Sequence, residues 1–436
     1  MMLWYYDMSR RKFLQIIGLS TAGVALSSRK LEAITSISGK TMSESGETIR
    51  MKESIARAVH DAGADVVLCV PSTGTAKIFD EYNKITPENV PYSYNEEVAY
   101  TIAHGAGMNG KRSAIIIKSH GMAKATNSVI DSLTAGTTAG FVIIVTYDKK
   151  GLHSDSIFDC NDFVKGTGIP FKVPENETAY QDILDGFRWS EQLQLPVAIL
   201  IDSNTLDKEV KKLTLRSAVP QVSCNRDPLC HVLCPPLASY QSQVLQAKLA
   251  GGDWNKVERP VPLHIPADLS PKWQKMIHDY MPIFQVFRQM RKEMDFVSGD
   301  TGVSSLFAFP PFNCIDATTY YGGSLPLATG AYLAGRQGVW AITGDYTFVA
   351  AGHMGLIEAV SRNIPLKVLV LHNGCAMTTG GQPLPDNVFN HLISGYQSYV
   401  RYIRSPLDID SIRSVLKPAV ESDRLEIIVA DYVKGH

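Results

Sequence analysis

The sequence predicts an α/β protein made of two doubly wound parallel-sheet domains joined by a long proline-containing connector. Three observations carry that expectation. Short, nearly continuous apolar runs alternate with helical patterns in both halves, which is how strands covered on both faces of a parallel sheet read. The alternation breaks once, in a central stretch holding Pro220, Pro228, Pro235, Pro236, Pro260, Pro262 and Pro266 with little sustained periodicity. With 436 residues, 45 % of them hydrophobic and 19 % charged, the chain is long enough for two or more cores and too apolar to be mainly disordered.

Residues 1–50 read as a leader and linker. An uncharged stretch of 16 residues, Phe13–Ser28, follows Arg10 and Arg11 and is closed by Arg29 and Lys30. It is shorter than the roughly 20 residues of a bilayer-spanning helix and suits the apolar region of an export signal. Ser9-Arg10-Arg11-Lys12-Phe13-Leu14 resembles a twin-arginine signal, which implies export or membrane association. A plain amphipathic helix or a false start codon is the alternative, and either would leave the protein cytoplasmic. Residues 51–205 form the first domain. Strands are expected there at Asp65–Val70, Pro91–Tyr94, Ser113–Ile117, Phe141–Thr146 and Pro196–Asp202, each a short apolar run between helical patterns. Residues 206–275 are the connector, and its prolines suit a segment that wraps the surface. Residues 276–436 form the second domain, with strands expected at Phe296–Ser298, Val339–Thr343, Leu366–Leu371 and Leu425–Ala430.

The 42 basic and 43 acidic side chains nearly cancel, so no broad field draws the protein to nucleic acid or to an anionic membrane. Seven cysteines are too few and too scattered for a disulfide framework. Cys224, Cys230 and Cys234-Pro235 could begin a zinc or iron–sulfur site. They lack a fourth ligand and the usual close pairs, so plain thiols are the stronger reading.

The segment Val339–Pro385 bears the most chemistry. A buried strand ends in Gly344-Asp345, a helical pattern follows, and a second strand ends in His372-Asn373-Gly374, with Asp345 and Asn373 28 residues apart. Strand–helix–strand sets the two residues side by side at the carboxyl ends of neighbouring strands, where open parallel sheets bind ligands. The Asp345 carboxylate, the Asn373 side-chain oxygen and the Cys375 carbonyl could supply three oxygens to a hard cation such as Mg²⁺. The amides of Tyr346 and Thr347 could hold phosphate oxygens.

This pattern resembles the diphosphate-binding motif of thiamine-diphosphate (ThDP) enzymes, although Tyr346 stands where that family usually has a glycine. The run Ala376-Met377-Thr378-Thr379-Gly380-Gly381-Gln382 resembles the 2-oxoacid:ferredoxin oxidoreductases, in particular the α subunit of indolepyruvate:ferredoxin oxidoreductase. The resemblance implies two flavodoxin-like ThDP-binding domains and assigns cofactor contacts to Gly344, Asp345, Tyr346, Thr347, Asn373, Cys375 and Met377. Leu325, in Gly322-Gly323-Ser324-Leu325-Pro326, is the apolar residue expected to wedge between the two rings of the cofactor, or else a buried residue at a helix start.

Such enzymes also need a carboxyl group bonded to the far nitrogen of the cofactor's pyrimidine, so that the cofactor's own amino group can take its C2 proton. Asn95-Glu96-Glu97-Val98-Ala99 before a glycine-containing helix resembles the pyrimidine-domain signature, with Glu96 in register; both acids also suit a first helical turn. His120, in the loop Ser119–Asn127, is a candidate to protonate an intermediate or hold a substrate carboxylate, and equally a capping side chain. Gly151-Leu152-His153-Ser154 resembles a substrate-side loop of the indolepyruvate enzyme, or else His153 is merely exposed.

The resemblance thus implies a ThDP- and Mg²⁺-dependent enzyme that decarboxylates a small 2-oxo acid through an enamine on the cofactor. It would be a homodimer or larger, because in this family the cofactor lies between domains of different subunits. The outcome is either simple decarboxylation, as in sulfopyruvate or phosphonopyruvate decarboxylases, or an oxidoreductase-type subunit. The ferredoxin-like domain of the resembling subunit has no counterpart in this sequence, so an oxidoreductase would need an electron-transfer partner. A catalytically silent ThDP-binding or scaffolding protein is the alternative.

Overall fold

The computed structural model describes residues 43–215, 222, 225–261, 264–265 and 269–433. The leader motif and Cys224 lie outside these residues. The first domain runs α1 (Met51–Asp61), β1 (Val66–Cys69), α2 (Thr75–Ile85), α3 (Glu96–Met108), β2 (Ser113–Lys118), α4 (Ser119–Lys124), α5 (Thr126–Ala135), β3 (Phe141–Tyr147), α6 (Cys160–Thr167), β4 (Phe171–Lys172), α7 (Ala179–Leu193) and β5 (Val197–Asp202). The sheet order is β1-β2-β3-β5-β4, with every neighbour parallel. Alternate strand residues serve opposite cores, which is why the strands read as unbroken apolar runs. Ala114, Ile116, Val142 and Ile144 pack with α1, α2 and α7, while Ile115, Ile117, Ile143 and Val145 pack with α3, α5 and α6.

The second domain repeats the plan. It runs α8 (Pro271–Met290), β6 (Phe296–Asp300), β7 (Ala317–Thr319), α9 (Ser324–Leu333), β8 (Val339–Gly344), α10 (His353–Ser361), β9 (Lys367–His372), α11 (Asp386–Ser394), β10 (Val400–Ile403), α12 (Ile409–Glu421) and β11 (Glu426–Asp431). The six strands lie in the order β10-β11-β9-β8-β6-β7, again all parallel. The fold is therefore α/β with two parallel sheets, of five and six strands.

Three expectations differ from the structure. Pro91–Tyr94 forms no strand; Ser93 N–H donates to Cys69 O at 2.8 Å, and Tyr94 N–H is taken at 2.9 Å by Glu358 of the other domain. The strands β4 and β7 have too few residues to announce themselves by pattern, and β10, Val-Arg-Tyr-Ile, is only half-buried and carries no continuous apolar run. Within residues 206–275, Glu209–Thr214 pairs antiparallel with Ser43–Arg50, and Ala238–Leu249 is helical. That helix buries only Gln241 and Lys248, so it carries no apolar stripe for a periodicity search to find.

The two domains meet through α3 and α9. Both helices are buried almost all round, and glycines let their backbones touch. A Cβ at Gly105 would overlap the carbonyl of Leu327, and one at Gly330 would overlap that of Ile102. No helix among the described residues is long and apolar enough to cross a membrane. Gly330→Ala is expected to wedge the helices apart and cost about 1–3 kcal/mol. Urea denaturation of the variant measures this, and an unchanged midpoint would show that the contact is not close.

Candidate active site

The parallel register of β8 and β9 sets Gly344 opposite Leu371, so Asp345 and His372-Asn373 leave the sheet side by side. After β8 the chain makes one helical turn, Asp345–Thr347, and then a π-helical turn, Phe348–Gly352, that runs into α10. Such π turns recur at functional sites. Thr347 closes the first turn: its Oγ1 accepts Gly344 N–H at 2.9 Å and lies 2.8 Å from Thr343 Oγ1. Thr343 in turn donates to Asp300 Oδ2 at 2.6 Å.

Asp345 is 1 % exposed, and three groups orient its carboxylate. Oδ1 accepts Tyr346 N–H at 2.7 Å. Oδ2 accepts Gly374 N–H at 2.6 Å and lies 2.8 Å from Nδ1 of His372, whose ring stacks on Phe389 with centroids 4.3 Å apart. Asn373 donates through Nδ2 to Tyr280 OH at 2.7 Å and accepts Cys375 N–H on Oδ1 at 3.0 Å. Asp345 Oδ1 and Asn373 Oδ1 each accept one such bond, which leaves a lone pair on each for a hard cation. Among the described residues no three His, Cys, Asp or Glu side chains cluster as a metal site. A cation here would therefore rest on mixed oxygen donors.

Around these groups lies a cavity. Gly344, Asp345, Tyr346, Thr347, Asn373, Cys375 and Met377 all line it. Leu325 does not. It is fully buried in the first turn of α9, where it packs under Gly352 and Gly355. Tyr321 lines the cavity instead, and its ring stands edge-on to Tyr346 with centroids 6.3 Å apart. Gly322 makes that turn possible: its φ is +90°, and a Cβ would come within 2.7 Å of Gly352 N.

Sequence reasoning also missed Asp300 and the loop Thr301–Ser304, which line the same cavity. Asp300 ends β6, the neighbour of β8, and the loop follows it, so applying the carboxyl-end rule to every strand would have found them. Burial pushes the Asp300 carboxyl above the usual carboxylate range, against hydrogen bonds from Thr343 and Ser324. Burial likewise pushes the Tyr321 hydroxyl up to about 12.

Among the described residues, none of the first domain lines this cavity within one chain. Glu96 opens α3 behind its cap Asn95, whose Oδ1 accepts the N–H groups of Glu97 and Val98 at 3.0 and 3.3 Å. The Glu96 carboxylate accepts Lys124 Nζ at 3.0 Å and leans on Gly121. His120 places Nε2 2.9 Å from Ser156 Oγ, while its Nδ1 is buried without a partner. His153 is exposed, and its backbone N–H donates to Asp148. Beside these groups Tyr94, Leu152, Ile157 and Phe158 are 62, 61, 56 and 40 % exposed. Cys230 and Cys234 behave as thiols of the interior, pushed up to about 11 by burial.

Residues 300–418 match the family profile described as thiamine pyrophosphate enzyme, C-terminal TPP binding domain. The second domain is thus a ThDP enzyme C-terminal domain. The chain is 28 % identical over 221 residues to the indolepyruvate oxidoreductase subunit IorA of Archaeoglobus fulgidus, covering 48 % of this chain and 34 % of that protein. It is also 28 % identical over 154 residues to the same subunit of Methanothermobacter marburgensis, covering 34 % of this chain and 24 % of that protein. The matched stretch therefore spans about a third or less of either relative. In fold it is similar to a thiamine diphosphate-dependent 4-hydroxybenzoylformate decarboxylase of Rhodococcus jostii, with a TM-score of 0.59 at 13 % identity over 88 % of this chain and all of that one.

Two substitutions separate the cavity wall from the core behind it. Leu325→Ala is expected to cost about 2–5 kcal/mol of stability and to spare ThDP affinity. Tyr321→Ala should spare stability and weaken ThDP binding about 3- to 10-fold. Denaturation midpoints and calorimetric titration distinguish the two, and the reverse pattern would return Leu325 to the cavity.

Proposed function

We propose that the chain is a subunit of a ThDP- and Mg²⁺-dependent enzyme that decarboxylates a small 2-oxo acid, working as a homodimer or larger assembly. The observation that best supports this reading is the convergence of Asp345, Asn373 and Cys375 on one cavity in the domain that matches the ThDP enzymes. In this reading the Asp345 carboxylate, the Asn373 amide oxygen and the Cys375 carbonyl hold Mg²⁺. Gly344, Tyr346, Thr347 and Met377 form the walls around the diphosphate, and Tyr321 supports the organic rings. Bound there, the cofactor would supply the nucleophilic carbon and the electron sink that decarboxylation of a 2-oxo acid needs.

Glu96 is the group that shares a proton with the cofactor's pyrimidine nitrogen. Its own chain's cavity has no lining residue from the first domain among the described residues, which supports a second copy as the source of this acid. The exposed apolar side chains beside it are the kind of surface such a copy covers. His120, next to Gly121 in the same region, is positioned to hold a substrate carboxylate or pass a proton. Similarity to the IorA subunits favours the oxidoreductase-type outcome, in which a partner chain accepts electrons.

The test is carbon dioxide release from a panel of 2-oxo acids, including indole-3-pyruvate, with ThDP and Mg²⁺ and with or without a viologen acceptor. Release only with the acceptor identifies the oxidoreductase, and release without it the simple decarboxylase. Cofactor binding with no release from any member would leave a scaffold and overturn the reading. Glu96→Gln is expected to lower turnover at least about 100-fold while ThDP affinity stays within about threefold. Full activity in that variant would remove Glu96 from its role.

A further inference from the structure

The segment just before Glu96 is gripped by two side chains of the other domain. Glu358, on α10, is 1 % exposed. Its Oε1 accepts Tyr94 N–H at 2.9 Å, and its Oε2 accepts Arg362 Nε at 2.9 Å. The Arg362 side chain, 7 % exposed, reaches past the pair with Nη2 to donate to Ser93 Oγ at 3.0 Å and to Pro91 O at 3.3 Å. From the other side, Ser93 N–H is bonded to Cys69 O at the end of β1. Residues 91–94 are thus pinned between the first sheet and α10, two residues short of Glu96.

A buried ion pair is a poor source of stability, because desolvating both charges offsets most of their attraction. What this pair does deliver is geometry. Pro91 cannot donate, Ser93 and Tyr94 lie outside any ladder, and the clamp takes the polar groups that a strand would otherwise have paired. Its consequence falls on the start of α3, since the Asn95 cap and Glu96 follow directly. A catalytic acid must be held to within about 0.5 Å of its working position.

We propose that Glu358 and Arg362 are positioning residues for Glu96, so that the second domain of each chain aims the acid which that chain lends to its partner. This rests on the reading of Glu96 given above. The element that does the aiming is continuous with the cavity wall: Asp345–Thr347, the π turn and α10 form one uninterrupted run.

The test compares wild type, Glu358→Gln, Arg362→Lys and Glu96→Gln in three measurements. These are amide hydrogen exchange of residues 91–98 in the protein without cofactor, ThDP affinity with Mg²⁺, and the rate at which C2 of bound ThDP exchanges its proton for deuterium. Glu358→Gln should speed amide exchange of Tyr94 to Glu96 about tenfold or more. It should slow C2 exchange about tenfold and leave ThDP affinity within about threefold. Arg362→Lys, which keeps the charge but loses the reach to Ser93 and Pro91, should show the same pattern more weakly; it supplies the answer if Glu358→Gln fails to fold. Unchanged C2 exchange in a clamp variant, while Glu96→Gln is slow, overturns the positioning role alone. So does a parallel loss of ThDP affinity, which would mean that α10 acts through the cavity. Unchanged C2 exchange in Glu96→Gln sinks the functional reading, and the positioning role with it.

Discussion

The site depends on one backbone constraint, the in-register parallel pairing of β8 with β9. A parallel ladder delivers both chains to the same edge, and the pairing of Gly344 with Leu371 makes Asp345 and Asn373 neighbours. A shift of one residue would turn the side chains of β9 to the opposite core. The register is held by two cores at once, since Leu369 and Leu371 serve one face and Val368 and Val370 the other. The position of the oxygen donors is therefore fixed by hydrophobic packing on both faces of the sheet.

Burying Asp345 beneath that edge demands hydrogen bonds, because an isolated carboxylate in the interior is costly. Two backbone N–H groups and His372 meet the demand. They do so with the carboxylate already turned toward the cavity, so little reorganisation is left for a cation to impose. Asp300 extends the same network. It ties the first turn of α9 to Thr343, and so links the turn that carries Tyr321 to the one that carries Asp345.

The relation between the domains is of another kind. The α3–α9 contact is intramolecular and very close, yet it leaves Glu96 outside its own chain's cavity, paired with Lys124 beside exposed apolar side chains. In the proposed reading, a single chain carries the parts of a complete site without assembling them. The Glu358–Arg362 pair joins the cavity-bearing run of one domain to residues 91–94 of the other, just before Glu96.

Much of this was legible in the order of amino acids. The two sheets showed as apolar runs because strands buried on both faces carry apolar residues at every position. Asp345, Asn373 and Cys375 showed because strand–helix–strand connectivity leaves little freedom about where successive strand ends fall. Leu325 and Tyr321 were not separable on those grounds, since which residue of a turn faces a cavity depends on where the helix begins and what packs beneath it. Ser324 opens α9, so Leu325 falls inside the core and Tyr321 remains in the loop. Asp300, the Glu358–Arg362 clamp and the isolation of Glu96 join residues that only folding brings together. Periodicity reports the environment along a chain, and it is silent about contacts between segments that lie hundreds of residues apart.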